Sequence, residues 1–277
     1  MNDETLSPNA HIAILGLGEA GALFAADLIR AGVPVRGWDP NPERNVPGMT
    51  RTSSDAEAVT GARAIISVNW SSVSLQVAQA LEPVLRPGQL FADFNTSSPK
   101  RKLEVAEVVG LTGASFADVA LMSPVPGKGI RTPALVSGPG ASEFANLFSS
   151  LGMPVTNLGF EVGMAASRKL ARSVFFKGMA AAVGEALEAA RRLGCEDTLY
   201  TDIAQTFQNA DASLVKHLLE GSRLHAKRRT AEMHAASEML RDLGIEPHMA
   251  AATATWLRSL TQAQTNETQD SQSNPHF

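Results

Sequence analysis

The stretch GLGEAG, residues 16–21, constrains the fold of this 277-residue chain more than any other feature. It follows the apolar run IAIL and precedes the Ala- and Leu-rich run ALFAADLIR, so it joins a predicted strand to a predicted helix. Gly16 permits the tight turn, Gly18 lets a pyrophosphate approach the backbone, and Gly21 lets helix and strand pack closely. A second β-branched strand ending at Asp39 completes a βαβ unit, and the pattern predicts that this unit binds a dinucleotide.

The expected cofactor is NAD, with NADP as an open alternative. Asp39 comes 18 residues after Gly21, where a carboxylate can accept hydrogen bonds from an adenosine ribose and repel a 2′-phosphate. Arg44 could reach a 2′-phosphate instead, and Asp39 could also be a simple turn residue. The predicted cofactor contacts are Gly16, Leu17, Gly18, Glu19, Ala20, Gly21, Asp39, Val68, Asn69 and Asn95.

Strand and helix patterns alternate up to about residue 160, which predicts a mostly parallel sheet covered on both faces. The later strand patterns lie at 62–69, 89–95, 114–121 and 132–138. From residue 161 the strand signal disappears and long amphipathic stretches follow. We therefore predict a dinucleotide-binding domain over 1–160, an all-helical substrate and dimerisation domain over 161–262, and a disordered tail over 263–277, where apolar residues are scarce.

Composition narrows the range of partners. A net charge of -4 offers no broad basic surface for nucleic acid or an anionic membrane, so a small anionic molecule is the expected partner. Cys195 is the single cysteine, and we expect neither an internal disulfide nor a metal site. No run approaches the roughly 20 apolar residues of a membrane helix, and residues 1–9 are polar, so we expect a cytoplasmic protein.

Small polar residues follow the strand pattern at 89–95. Asn95, Thr96 and Ser97 are expected at the carboxyl edge of the sheet, where a doubly wound sheet binds its ligand. We take them as candidate substrate contacts. Their structural alternative is a helix start with Ser97 or Ser98 as N-cap and Pro99 in the first turn, and the two interpretations are compatible.

Three motifs in this order resemble the β-hydroxyacid dehydrogenase superfamily: GLGEAG, D-x-N-T-x-S-P at 93–99, and G-x-x-x-x-x-K-x-x-x-S at 163–173. The last part of the chain resembles a poorly characterised branch with a C-terminal domain like that of 6-phosphogluconate dehydrogenase. The resemblance implies a Rossmann doubly wound α/β domain followed by an all-α domain. It also implies hydride transfer between NAD or NADP and a β-hydroxyacid, or its keto or semialdehyde form.

The same resemblance places the catalytic lysine at Lys169. A lysine desolvated between domains has its charged form disfavoured, so it can exchange a proton with a substrate oxygen. The alternative is a lysine that extends from a buried helix to solvent. Ser173 stands where the family usually has an asparagine that binds substrate. Lys177 is expected to pair with a substrate carboxylate or to line the domain interface.

Two regions bear on the substrate. Met122 replaces a serine of the family's substrate loop, and Ser123 and Pro124 replace two glycines, so backbone N–H groups that would hold a carboxylate are partly lost. Ser123 remains a candidate substrate contact. In 6-phosphogluconate dehydrogenase relatives, basic C-terminal residues reach across a dimer interface, so Arg228 or Arg229 is expected to bind an anionic substrate group in trans, the alternative being a solvated helix face.

Two other functions stay open at this point. One is a non-catalytic dinucleotide-binding sensor or scaffold, and the other is a reductase of a non-acid C=O or C=N substrate. Lys169 favours the dehydrogenase, because imine reductases of related fold generally lack a lysine at that position. We also expect a homodimer through the helical domain, whose apolar faces exceed what one small domain buries.

Overall fold

The computed structural model describes residues 11–273. The chain divides into two compact units, with the boundary between Arg172 and Ser173. The first unit is built around a sheet and the second consists of helices, and each is described by itself below.

An eight-stranded sheet forms the centre of the first unit. Its strands are β1 (His11–Leu15), β2 (Val35–Trp38), β3 (Thr50–Arg51), β4 (Ala62–Ser67), β5 (Leu90–Asp93), β6 (Ser115–Leu121), β7 (Ala134–Ser137) and β8 (Val155–Asn157). They lie in the order β3-β2-β1-β4-β5-β6-β7-β8, and all neighbours are parallel except the antiparallel pair β6 and β7. The chain order reverses between β1 and β4, and the carboxyl ends of strands at such a point form a ligand-binding crevice.

Five helices cover the sheet on both faces: α1 (Glu19–Arg30), α2 (Asp55–Val59), α3 (Ser74–Leu81), α4 (Pro99–Leu111) and α5 (Ala141–Ser150). The alternation of side chains along β1 explains the two layers. Ile12 and Ile14 belong to the apolar cluster that includes Phe24 of α1 and Phe144 of α5. Ala13 and Leu15 belong to the opposite cluster, with Leu81 of α3 and Val105 of α4. β1 is therefore buried on both sides, which explains the continuous apolar run from Ile12 to Leu15.

The helices of the second unit follow a long helix, α6 (Met164–Leu193), which starts in the first unit. They are α7 (Glu196–Gln208), α8 (Ala212–Leu224), α9 (Ala226–Asp242) and α10 (His248–Ser273). Ala189 of α6, Leu240 of α9 and Ala250 of α10 form a small apolar core. The Glu185 carboxylate accepts the N–H groups of Met249 and Ala250 at 2.8 Å each and so caps the start of α10.

The predicted architecture, an α/β Rossmann sheet followed by helices, is confirmed. The predicted start of α4 is also confirmed, because the Ser98 hydroxyl accepts the N–H of Arg101 and Pro99 is the first helical residue. The sequence pattern does not predict α2, α5, β3 or β8. The predicted domain boundaries stay predictions.

The structure differs from the prediction at the C-terminus. α10 continues to Ser273, into the segment that was expected to be a disordered tail, and residues 274–277 lie outside the described part. The segment lacks glycine and proline up to that point, and extending an existing helix requires no new nucleation. Within residues 11–273, no helix has both the length and the apolar character that crossing a membrane requires.

Candidate functional site

The glycine turn between β1 and α1 has the close contacts that its spacing predicts. Gly16 has φ +99°, and a Cβ added to Gly21 would lie 1.9 Å from the Gly16 carbonyl oxygen. Beside Gly18 there is room, since the nearest atom to an added Cβ is the Arg44 Nη1 at 3.7 Å. Gly18 is also the N-cap of α1, whose first turn has no side-chain cap. The turn thus leaves backbone N–H groups and the positive end of a helix dipole for a pyrophosphate.

Asp39 is the first residue after β2 and is hydrogen-bonded to the glycine turn. Its Oδ2 accepts the Leu17 N–H at 2.7 Å and contacts the Arg44 Nη1 at 3.2 Å, and its Oδ1 accepts the Asn41 N–H at 2.9 Å. Burial by itself would raise the pKa of the Asp39 carboxyl, but these donors outweigh burial and hold that pKa below its ordinary value. The ionised Asp39 carboxylate therefore stabilises the conformation of the turn through hydrogen bonds. Its predicted contact with a ribose stays a prediction.

A cleft of about 790 Å³ opens over the turn. Gly16, Gly18, Glu19, Ala20 and Asp39 line it, as do Val68 and Asn69 after β4. Seven of the ten predicted cofactor contacts thus share one cleft. Leu17 is buried behind it, Gly21 packs on Gly16, and Asn95 lies in the neighbouring site described next. These residues fit a dinucleotide, because the backbone is accessible where phosphates would lie and closed where helix and strand meet.

A buried ion cluster lies under the carboxyl ends of β5 and β6. Lys102 of α4 is 1% exposed, and its Nζ is 3.1 Å from Asp93 Oδ2, 3.2 Å from Asp118 Oδ1 and 2.7 Å from the Asp93 carbonyl oxygen. Both carboxylates are fully buried. One cation therefore serves two anions, and the carboxylates use their remaining oxygens to hold other parts of the site.

Each carboxylate of this cluster positions a different segment. Asp93 Oδ1 accepts both the backbone N–H and the side-chain amide of Asn95, at 3.0 and 2.6 Å. Asp118 Oδ2 accepts the Ala166 N–H at 3.0 Å, in the first turn of α6. The cluster thus connects the segment after β5 with the start of the helix that carries Lys169.

Lys169 and Thr96 meet at this edge of the sheet. The Lys169 Nζ donates to the Thr96 Oγ1 at 3.0 Å, although the two residues are 73 positions apart in sequence. Beneath them lies a cavity of about 10 Å³, lined in part by Asn95, Ser97 and Lys169. The Asn95 Oδ1 and the Ser97 Oγ are buried and accept no hydrogen bond from any described residue. The structure therefore gathers Asn95, Thr96, Ser97 and Lys169, four of the predicted site residues.

The loop after β6 lies beside this site and carries two further cationic contacts. The Arg172 Nη1 approaches the Met122 carbonyl oxygen at 3.4 Å, and the Lys128 Nζ donates to the Ser123 Oγ at 3.0 Å. This loop, in which Pro124 lacks a backbone N–H group, thus has a guanidinium and an ammonium within hydrogen-bonding distance of its oxygens. This pairing is a property of the folded chain that the sequence analysis did not predict.

The remaining predicted site residues belong to the second unit. Ser173 is half-buried and Lys177 is exposed on α6. The Arg228 Nη1 pairs with Glu232 Oε1 at 2.6 Å, one turn along α9, and the Arg229 Nη1 donates to the Ser222 Oγ at 2.9 Å. Both arginines have partners within their own chain, and the substrate roles of all four residues stay predictions.

Sequence analysis missed Lys102, and a signal was present. Lys102 lies in the basic run KRK, which is typical of a solvated helix start. However, Lys102, Val105 and Val109 follow one another at the spacing of a single helix face, and all three are buried in α4. The spacing of Lys102 with Val105 and Val109 therefore indicates which basic residue of the run lies on the buried face of α4.

Two family models match this chain. Residues 11–142 match the NAD binding domain of 6-phosphogluconate dehydrogenase, so the first unit contains an NAD-binding domain. Residues 190–260 match a domain of unknown function, DUF1932.

The relatives include mitochondrial 3-hydroxyisobutyrate dehydrogenase of Rattus norvegicus, 26% identical over 72% of this chain and 62% of the relative. The chain spans less than two thirds of the length of the first curated relatives it matches. Among solved structures, a conserved protein of unknown function, described as structurally similar to 3-hydroxyacid dehydrogenases, is 28% identical with a TM-score of 0.61, over 92% of this chain and 98% of the other. An imine reductase of Myxococcus stipitatus in complex with NADP⁺ has a TM-score of 0.77 at 19% identity, over 91% and 94% of the two chains, and shares the fold.

Proposed function

The chain belongs to the β-hydroxyacid dehydrogenase superfamily, and we propose that it is an NAD(P)-dependent oxidoreductase acting on a β-hydroxyacid or its keto or semialdehyde form. The observation that carries the proposal is the contact between Lys169 and Thr96 at the carboxyl edge of the sheet. We assign the proton exchange to Lys169, at the carboxyl edge of the sheet that the NAD-binding domain contains. This is where a doubly wound sheet places its chemistry.

Lys169 is the proposed general acid and base. Its Nζ would accept the proton of the substrate hydroxyl in oxidation and return it to the carbonyl oxygen in reduction. The Thr96 hydroxyl orients the ammonium by accepting one of its protons, and Asp118 fixes the first turn of the helix that carries it. The nicotinamide of the bound cofactor would accept or supply the hydride.

The proposed substrate is anionic, and the loop after β6 supports this. Arg172 and Lys128 contact loop oxygens, and a carboxylate that displaced those oxygens would gain a charge-assisted hydrogen bond from each. Ser123 would add a hydroxyl. Such side-chain donors compensate for the N–H group that Pro124 lacks.

We also propose further substrate contacts, a homodimer and a cellular location for this enzyme. Ser173 and Lys177 would extend the substrate contacts along α6, and Arg228 or Arg229 would reach the substrate of a partner in a homodimer. A cytoplasmic location agrees with a reaction on a small metabolite and the single cysteine.

The test follows absorbance at 340 nm with NADH and NADPH, and with the oxidised forms, against a panel of β-hydroxyacids and their carbonyl counterparts. Lys169→Ala should lower kcat by about 10²–10⁴ while cofactor binding stays within twofold. Lys216→Ala is the matched control, because Lys216 is an exposed lysine of α8 paired with Glu220. Turnover by Lys169→Ala at the wild-type rate would refute the assigned role, and binding of cofactor without turnover of any substrate would favour a sensor.

A further inference from the structure

Two buried oxygen atoms between β5 and α4 have no hydrogen-bond partner among the residues that the structure describes. They are the Asn95 Oδ1 and the Ser97 Oγ, and their residues are 3% and 6% exposed. Leaving a buried polar atom without a partner costs free energy, so native proteins pair such atoms with protein groups or with ordered water. The two oxygens therefore indicate that a small polar ligand binds at this place.

The orientation of the Asn95 amide follows from its own hydrogen bonds. Its Nδ2 donates to Asp93 Oδ1 at 2.6 Å and to Ser67 Oγ at 3.2 Å, which uses both of its N–H groups. A flipped amide would place Oδ1 against the Asp93 carboxylate, with no proton between the two acceptors. Oδ1 therefore lies on the other side of the amide. Because it can only accept, the ligand must donate to it.

The space beside these atoms has the size of one water. Asn95 and Ser97 line a cavity of about 10 Å³, together with Thr96, Lys169 and the residues of the buried ion cluster at Lys102 and Asp118. A site for a single water needs roughly 10–15 Å³ and two to four polar partners. The cavity provides this volume, and the two oxygens are two such partners.

Lys102 does not supply the donor that Asn95 Oδ1 needs. The Lys102 ammonium has three protons, and three oxygens already lie within 3.2 Å of its Nζ: the carbonyl oxygen and Oδ2 of Asp93, and the Oδ1 of Asp118. The cluster also balances charge beside the cavity, because two carboxylates face one ammonium. A neutral ligand with its own protons therefore fits this place better than an ion does.

We propose that the cavity binds one ordered water, which donates to Asn95 Oδ1, forms a hydrogen bond with Ser97 Oγ and accepts a proton of the Lys169 ammonium. Thr96 Oγ1 already accepts one of the three ammonium protons, and a second acceptor fixes the direction in which Lys169 meets the substrate. Ser97 is then a positioning residue that acts through the water. The water site stands on the geometry alone, whereas the positioning role rests on the proposed function.

A crystal structure of the full chain, at a resolution that shows ordered water, tests the site. One water should lie within hydrogen-bonding distance of both Asn95 Oδ1 and Ser97 Oγ. Density without a water there would overturn the proposal, and so would a water that contacts neither oxygen. This measurement needs neither substrate nor turnover.

Ser97→Ala tests the positioning role, with the substrate that the panel of β-hydroxyacids identifies. It should lower kcat about tenfold, because the water loses a partner and the ammonium loses its fixed direction, while KM stays within about twofold. A raised KM at the wild-type kcat would show that Ser97 contacts the substrate directly. That result, or unchanged kinetics, would overturn the positioning role.

Ser237→Ala is the matched control. Ser237 is 3% exposed, and its Oγ donates to the Met233 carbonyl oxygen at 2.8 Å within α9, so the substitution removes a similarly buried hydroxyl. Its kcat should equal that of the wild type. An equal fall in kcat for both variants would overturn the positioning role, because it would show a general loss of packing. Absence of turnover by the wild type would refute the proposed function and this role with it, and the density would still decide the water site.

Discussion

Lys102 is the residue whose environment departs furthest from that of an ordinary side chain of its type. A lysine is almost never fully buried unless it is paired, and Lys102 is paired twice, with Asp93 and Asp118. Among the residues that the structure describes, its ammonium is the one cation between two buried carboxylates, so its role is to offset their negative charge. Without its ammonium, two carboxylates would remain in a region without solvent, close enough to repel each other.

Lys102→Met should therefore lower the free energy of unfolding by about 3–5 kcal/mol, because it removes the cation from a buried cluster and keeps the side-chain length. Urea unfolding followed by circular dichroism measures this. Lys100→Met is the control, since Lys100 lies on the same helix and is exposed, and it should change stability by at most about 0.5 kcal/mol. Equal stabilities of the two variants would show that the cluster contributes nothing.

Asp39 gives a prediction about pH. Its pKa is lower in the folded chain than its ordinary value of 3.8, so the ionised form stabilises the fold above that value. As pH falls through the folded-state pKa, this contribution is lost. The difference in unfolding free energy between the wild type and Asp39→Asn should be full at pH 7 and should shrink below pH 3.8. Urea unfolding of both proteins at a series of pH values measures this difference. A difference that grows on acidification would contradict the stabilisation of the ionised Asp39 carboxylate by its hydrogen-bond donors.

At the level of elements, two helical glycines differ in the space around them. Gly21 in α1 is required by contact, since an added Cβ would lie 1.9 Å from a backbone oxygen. Gly184 in α6 has no atom of the described residues within 4 Å of such a Cβ. The same substitution should therefore have opposite effects at the two positions.

Gly21→Ala should destabilise the chain by about 1–3 kcal/mol through overpacking and should weaken dinucleotide binding. Gly184→Ala should stabilise it by about 0.5–1 kcal/mol, because alanine restricts the unfolded chain and favours the helix. Thermal unfolding of both variants beside the wild type is the measurement. A stabilised Gly21→Ala would contradict the close packing of β1 and α1.

Elements with a long, consistent pattern were predictable from sequence, and short or half-exposed ones were not. β1 could be recognised because burial on both faces makes four of its five residues, Ile12 to Leu15, apolar, whereas β8 has three residues, two of them exposed. The site follows the same rule. Motif spacing located Gly16 and Lys169, but the contact of Arg44 with Asp39 and the pairing of Lys128 with Ser123 depend on loop conformations that no periodicity encodes.

At the level of the whole molecule, the described residues that line the cofactor cleft belong to the first unit. A dinucleotide should therefore stabilise the chain by mass action, by about 2.7 kcal/mol at a hundredfold excess over its dissociation constant. Thermal unfolding with NADPH measures this. With the dinucleotide bound, backbone hydrogen exchange should slow most at residues 16–21 and 38–44. Inorganic phosphate in place of the dinucleotide is the control. Slowing confined to α7–α10 would contradict the assignment of the cleft.

The buried ion cluster also constrains how this chain and its relatives can diverge. Asp93, Lys102 and Asp118 lie on three different elements but share one charge balance, so a substitution at any one of them changes what the other two tolerate. A relative without a cation at the position of Lys102 must bring one to the same place from another position, or replace a carboxylate by a neutral group. These three positions should therefore evolve as a unit, even though 25 residues separate the first from the last.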